Sequence, residues 1–240
     1  MSIKCEHMTL DDKNLINDIY IAYAWKKAQA YMTSTNWYAD NLEIKLSSLK
    51  LENTISIVKK KITTKKTKFN RLQLVPVPKS TAWDFIEIDE SNLQWQPKEL
   101  EMQKLRPLAH ISIYDQIVMT LIMMGLANKV ESIQGDPNTS FEDVHAKKVV
   151  SYGNRLYCHY INDIAYFNYS ASNTYSKYFV DYQKFLKRPQ HFAEKNIGKI
   201  SPDEQLFILE LDIEKFFDNV DRKLLSAKII ELKGDKVMWV

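Results

Sequence analysis

Glycine scarcity sets the first limit on this chain. Its 240 residues include five glycines, about 2% against an average near 7%. No G-x-G-x-x-G and no G-x-x-x-x-G-K-[ST] occurs, which excludes folds that wrap a phosphate in a glycine-rich turn. Hydrophobic residues make up 45% and charged residues 26%. Both lie near soluble averages, which excludes disorder and fibrous designs. Cys5 and Cys158 are far apart with no C-x-x-C, so neither a disulfide framework nor a cysteine zinc site is expected, and the chain reads as cytoplasmic. His7, His110, His145, His159 and His191 show no metal-ligand spacing. The N-terminus, MSIKCEHMTLDDKNL, lacks the basic-then-apolar pattern of a signal peptide. The longest apolar stretch, Ile117 to Ala127, is too short to span a membrane.

Periodicity marks out a series of elements along the chain. Leu15, Ile16, Ile19, Tyr20, Tyr23 and Ala24 predict an amphipathic helix from Asp11 to about Thr33, and Leu42 to Val58 predict a second over Asn41 to Ile62. The run Lys59 to Lys68 holds six lysines. Arg71 to Val77 and Ala82 to Ile88 alternate apolar and polar residues, predicting two strands of one hairpin. Leu105 to Ile113 reads as a strand and Tyr114 to Lys129 as a buried helix, with a loop at Gly135-Asp136-Pro137. Val149 to Tyr157 reads as a short strand and Tyr175 to Leu186 as helical. Gln205 to Ile213 (QLFILELDI) reads as a strand, followed by a tight turn and a helix with Asp218 or Asn219 as N-cap and Leu224, Leu225, Ile229 and Ile230 on its apolar stripe.

Asp212 stands out because a carboxylate closing a hydrophobic strand is costly to bury without a cation. A hard metal ion is one answer; a turn cap or a lysine partner is the other. Asp212-Ile213-Glu214-Lys215-Phe216-Phe217-Asp218, between FILEL and NVDRKLL, resembles the motif A strand and turn of bacterial reverse transcriptases of the group II intron and phage-defence kinds. Two upstream blocks agree in order and spacing: Arg106-Pro107-Leu108 with Asp115-Gln116-Ile117-Val118, and Ser151-Tyr152-Gly153-Asn154-Arg155.

This resemblance implies an α+β fold, with the fingers and the beginning of a ferredoxin-like palm of a right-hand polymerase behind a helical N-terminal extension. The parts would be residues 1–70 for the extension, 71–204 for the fingers and 205–240 for the palm entry. The implied activity is RNA-directed DNA synthesis with two Mg²⁺ ions, an RNA template, a DNA primer and dNTPs. Asp212 would bind metal with the carbonyl of Ile213, Arg106 and Arg155 would clamp the triphosphate, and Phe217 would be the steric gate against a ribose 2′-OH. Such roles suit phosphoryl transfer, which is mainly charge neutralisation and in-line positioning, and arginine's planar fork matches phosphate oxygens.

The same residues carry plainer readings. Arg106 can be a surface residue at a strand start, Arg155 can pair with a helix acid, and Phe216 or Phe217 can be core. Lys59, Lys60, Lys61, Lys65, Lys66, Lys68 and Lys79 suit either a nucleic-acid backbone or a solvated surface. Thirteen Tyr, ten Phe and five Trp offer flat faces for bases or simply fill a core.

The aromatic-x-Asp-Asp hairpin that supplies the family's other carboxylates is absent; the only Asp-Asp pair is Asp11-Asp12. The sequence therefore implies a chain inactive alone: a fragment, an interrupted gene product, or half of a split enzyme whose remainder lies on a second polypeptide. A role in antiphage defence is implied by the Asp115-Gln116-Ile117 block and the lack of a maturase region. The alternative is a non-catalytic RNA-binding module or scaffold subunit.

Overall fold

Two helices far apart in sequence pack together to organise the core. A computed structural model describes residues 8–35, 40–64, 68–78, 83–89, 92–97, 105–201 and 203–233. Cys5, His7, Lys65, Lys66 and Lys79 lie outside the described residues, as does the side chain of Phe217. The architecture is mixed α and β, with seven α-helices and three two-stranded antiparallel sheets among the described residues.

The first expected helix is two: α1 (Asp12–Leu15) and α2 (Asp18–Thr35). The break lies at Asn17, whose Oδ1 accepts from the Ile19 amide at 2.9 Å and whose carbonyl accepts from the Ile21 amide at 3.0 Å, restarting the helix. The second is also divided, into α3 (Asn41–Leu49) and α4 (Leu51–Thr63), at Lys50 with φ −123° and ψ 52°. The Thr54 hydroxyl donates to the Ser47 carbonyl across that kink at 3.1 Å, and the Trp25 indole donates to Ser47 Oγ at 3.0 Å, tying the kink to α2.

Helix α5 (Ile113–Gln134) is the hub, capped by Ser112, whose Oγ accepts from the Asp115 amide. Ile21, Ala24 and Met32 of α2, Val58 of α4, and Ile117, Leu121 and Met124 of α5 are fully buried in one cluster. Removing side chains of this kind from water is the dominant favourable term, about 1.5–3 kcal/mol for each Ile, Leu, Met or Val. Gly125 gives the N-terminal segment room against α5, since a Cβ there would lie 2.4 Å from Leu10 Cδ2. Gly135 ends α5 at φ 75°, where a Cβ would meet the Lys147 and Lys148 carbonyls at 2.9 Å.

The expected pairing of the first two strands is not what forms. β1 (Gln73–Pro78) pairs with β4 (Leu105–His110), and β2 (Trp83–Asp89) pairs with β3 (Asn92–Pro97), a strand the alternation missed. Prolines explain the choice. Pro76 sits opposite Pro107, so two residues without an N–H share one position of the ladder and leave the remaining donors their partners.

Val149 to Tyr157 is a loop rather than a strand, with Leu156 in an isolated bridge to Tyr175. The strands follow it: β5 (Cys158–Ile161) and β6 (Ile164–Phe167), joined through Asn162 and Asp163 at φ 51° and 65°, the two positive values a type I′ turn needs. Helix α5 serves β6 in place of a third strand. The Ala165 amide donates to Ser132 Oγ at 2.9 Å and the Phe167 amide to Asn128 Oδ1 at 2.8 Å. One helical step of four residues, about 6 Å, matches two strand residues, about 6.7 Å.

Helix α6 (Tyr178–Ile197) carries Pro189 internally, and α7 (Arg222–Lys233) touches α5 through Lys129 Nζ, which donates to the Leu232 carbonyl at 2.7 Å. The cap of α7 is Asp221, not Asp218 or Asn219: its Oδ1 accepts from the Lys223 and Leu224 amides at 2.8 and 3.1 Å. Residues 205–213 form no strand. Phe207, Leu209 and Leu211 are each at least 80% exposed, because no neighbouring strand or covering layer for them stands among the described residues. No described helix is long and apolar enough to cross a membrane.

Candidate nucleotide and nucleic-acid sites

The residues singled out by sequence do not gather in one place. Arg106 lies on β4 opposite Val77, on an exposed two-stranded ribbon. The ribbon's twin prolines stiffen it, and the guanidinium is presented to solvent, where an anion can reach it.

Arg155 is placed very differently. It is 1% exposed and paired with Glu131 of α5, which is equally buried. Nε donates to Glu131 Oε2 at 2.8 Å, Nη1 to the Ser151 carbonyl at 2.7 Å, and Nη2 to the Gly135 carbonyl and the Tyr160 hydroxyl, both at 2.6 Å. Four of its five N–H donors are thereby engaged inside the protein. Glu131 completes the network: Oε1 accepts from the Leu156 amide at 2.8 Å, and Oε2 accepts from Tyr160 at 3.0 Å. Burial, together with the Glu131 charge, raises the Tyr160 phenol well above its ordinary range. Cys158 beside it is pushed up to about 12 by burial, then by Glu131, and so stays an uncharged thiol. The sequence option realised here is the helix-acid partner, and Arg155 holds the 150–157 loop against α5. Neither Glu131 nor Tyr160 was marked by sequence; the available signal was an acid near the end of a largely apolar helix.

Asp212 is exposed, on the unpaired segment, and Ile213 is 65% exposed beside it. Lys215, at φ 50°, then turns the chain into a 3-10 turn, Phe216–Asp218, that holds Phe217. Among the described residues, no group of three or more His, Cys, Asp or Glu side chains is placed to hold a metal. A two-metal site bridges ions about 3.5–4 Å apart with several carboxylates. One solvated Asp does not meet that requirement, so the residues present do not by themselves fit the two Mg²⁺ ions.

The lysine run divides as well. Lys59 pairs with Asp18 at 2.6 Å, and Lys61 pairs with the buried Asp115 while lying 5.6 Å from the Phe69 ring centre. Asp115 also accepts from the Asn70 amide at 2.9 Å. The block Asp115-Gln116-Ile117 is thus an anchor for the end of α4 and the start of β1. Lys60 and Lys68 are exposed and remain open to an external phosphate.

One concave feature lies next to the Ser151-Tyr152-Gly153 block. A cleft of about 440 Å³ opens between residues 150–153 and α6, lined by Tyr152, Gly153, Tyr178, Tyr182, Phe185 and Arg188 among others. Pockets of this size are typical of small-ligand sites. The Arg155 latch fixes one wall, because Nη1 is bonded to the carbonyl of Ser151, at the cleft edge. Compared with known proteins, the chain matches no protein-family model, no curated protein and no solved structure.

Proposed function

We propose that the chain is the fingers and palm-entry part of an RNA-directed DNA polymerase. The observation that supports this reading most is the order of three blocks, Arg106-Pro107-Leu108 with Asp115-Gln116-Ile117-Val118, then Ser151 to Arg155, then Asp212 to Asp218. Arg106, exposed on a stiff ribbon, is the residue we assign to the incoming triphosphate. Phe217 selects the sugar. Arg155 acts as a positioning residue, holding the Ser151–Asn154 loop in place. Asp212 is the first metal carboxylate, and the reading requires further carboxylates beside it, from a second polypeptide or from other residues of a longer product. The setting we propose is the bacterial cytoplasm, in antiphage defence.

A non-catalytic RNA-binding subunit is the second reading. The solvated, isolated position of Asp212 favours it. One experiment separates the two. The protein is recovered from its source cells with any chain that accompanies it, and dNTP incorporation on an RNA template with a DNA primer is measured for wild type and Asp212→Ala. Incorporation lost in Asp212→Ala with RNA binding retained supports the polymerase. Absence of incorporation from every native preparation, with RNA still bound, supports the binding subunit.

A further inference from the structure

The 150–153/α6 cleft has the composition of a base-stacking site. Tyr178, Tyr182 and Phe185 follow one another at i, i+4 and i+7 of α6, a spacing that puts them on one helical face. Tyr178 and Tyr182 stack with centroids 5.4 Å apart and an interplanar angle of 14°, and Tyr182 and Phe185 continue the row at 6.2 Å and 22°. The three rings are 66%, 42% and 53% exposed. They form an ordered ladder of aromatic surface on the outside of the molecule.

The helix that carries the ladder is rich in cations. Between residues 177 and 199 the sequence carries Lys177, Lys184, Lys187, Arg188, Lys195 and Lys199 against Asp181 and Glu194. Asp181 is buried and bonded to Ser176, with Lys184 at 3.8 Å, so its charge is turned inward. An apolar protein partner gains nothing from that excess of positive charge, whereas a polyanion with flat rings matches both features at once.

Arg188 joins them. Nη1 donates to the Val149 carbonyl at 2.8 Å, and the guanidinium lies 5.8 Å from the Tyr152 ring centre. This fixes a planar cation at the cleft wall with further N–H donors left for a phosphate oxygen. Opposite, Gly153 presents open space, since a Cβ there would meet nothing within 4 Å.

From these features we propose that the cleft binds a single-stranded nucleic acid, stacking one or two bases on Tyr178, Tyr182 and Phe185, with Arg188 on a flanking phosphate. A duplex is excluded as occupant because its base faces are already stacked. The proposal goes beyond the polymerase reading and requires no nucleotide addition. A preparation that binds RNA here and never incorporates dNTPs keeps the cleft and loses the polymerase.

The test is fluorescence anisotropy with a labelled dodecauridylate RNA and the full chain. Tyr182→Ala combined with Phe185→Ala weakens binding about 10-fold or more, while Tyr182→Phe binds like wild type. Arg188→Gln lowers affinity and reduces the salt slope by about one. A 4-thiouridine version of the RNA crosslinks to the α6 peptide containing Tyr182 in wild type, a readout that needs no variant to fold. Unchanged affinity in the double variant, or a wild-type crosslink confined to peptides away from α6, overturns the proposal. So does displacement of the RNA by AMP at its own strand concentration, which marks a mononucleotide pocket. Light scattering that shows a second copy released by the same double variant overturns it too.

Discussion

Helix α5 and the segment from Leu206 to Ile213 are both rich in apolar residues and opposite in fate. Ile117, Leu121 and Met124 are fully buried, whereas Phe207, Leu209 and Leu211 are at least 80% exposed. The polar residues show why. Three buried polar groups of α5 each have a specific partner: Asp115 has Lys61, Asn128 the Phe167 amide, and Glu131 the Arg155 guanidinium. Asp212 has no such partner among the described residues and is exposed to water. Hydrophobicity says that a segment benefits from burial; polar partners reveal where that burial has been achieved.

The largest expected effect breaks the contrast at its strongest point. Arg155→Met leaves Glu131 as an uncompensated buried charge and costs about 3–5 kcal/mol, read as a fall in the urea midpoint. Glu131→Leu combined with Arg155→Met removes both charges and recovers much of that loss, which distinguishes a buried pair from a simple packing defect. Leu121→Ala follows at about 2–5 kcal/mol, the range for deleting a fully buried leucine. A midpoint shift below 1 kcal/mol in either single variant would mean that the α5 hub does not carry the fold.

Asn128→Ala has a smaller cost, about 1–3 kcal/mol, because it orphans the buried amide of Phe167. Amide exchange at Phe167 is the direct measurement. It accelerates in the variant, whereas exchange within α2 is unchanged unless the loss spreads beyond the β6 edge.

The α2 helix was legible in the sequence through its apolar spacing and α5 through its long apolar run, and their partners lie in the same chain. Their interruptions were not: Asn17 and Lys50 break the helices through single side-chain and backbone choices that periodicity averages over. Strand existence was easier to read than strand pairing. β1 alternates clearly, but its partner was decided by where Pro76 and Pro107 can face each other. The Cys158–Phe167 hairpin was missed although Asn162-Asp163 is a turn dipeptide, since four-residue strands give too short an alternation. Motif matching located Arg155 and could not show that Glu131 engages it. The cleft was invisible for a related reason: the ladder on α6 is a three-residue pattern whose meaning depends on the loop opposite.

Lys27 sharpens the comparison through pH. It is buried on α2, donating to the carbonyls of Asn168, Ala171 and Asn173 at 2.8, 2.8 and 3.0 Å, with its ammonium 4.4 Å from the Phe167 ring centre. Burial, reinforced by the charge of Lys26, lowers its pKa from 10.5 to about 8. Between those pH values the unfolded chain holds the proton and the folded one does not, so stability rises with pH. Wild type therefore gains on Lys27→Met as pH climbs from about 8 toward 10.5. A parallel pair of midpoint curves would show that the three carbonyls hold the proton despite burial.

The smallest effect is expected where the sequence pointed most strongly. Asp212→Ala and Leu209→Ala each change stability by no more than about 0.5 kcal/mol, the ordinary range for solvated positions, and amides 206–213 exchange near the rate of an unstructured peptide. A loss above 1 kcal/mol from either substitution would show that this segment packs in solution and would erase its contrast with α5. The expected insensitivity is also what gives Asp212→Ala its value as a probe. A substitution that leaves the fold intact changes incorporation only through the site, so any activity that disappears with it belongs to the carboxylate and not to a destabilised chain.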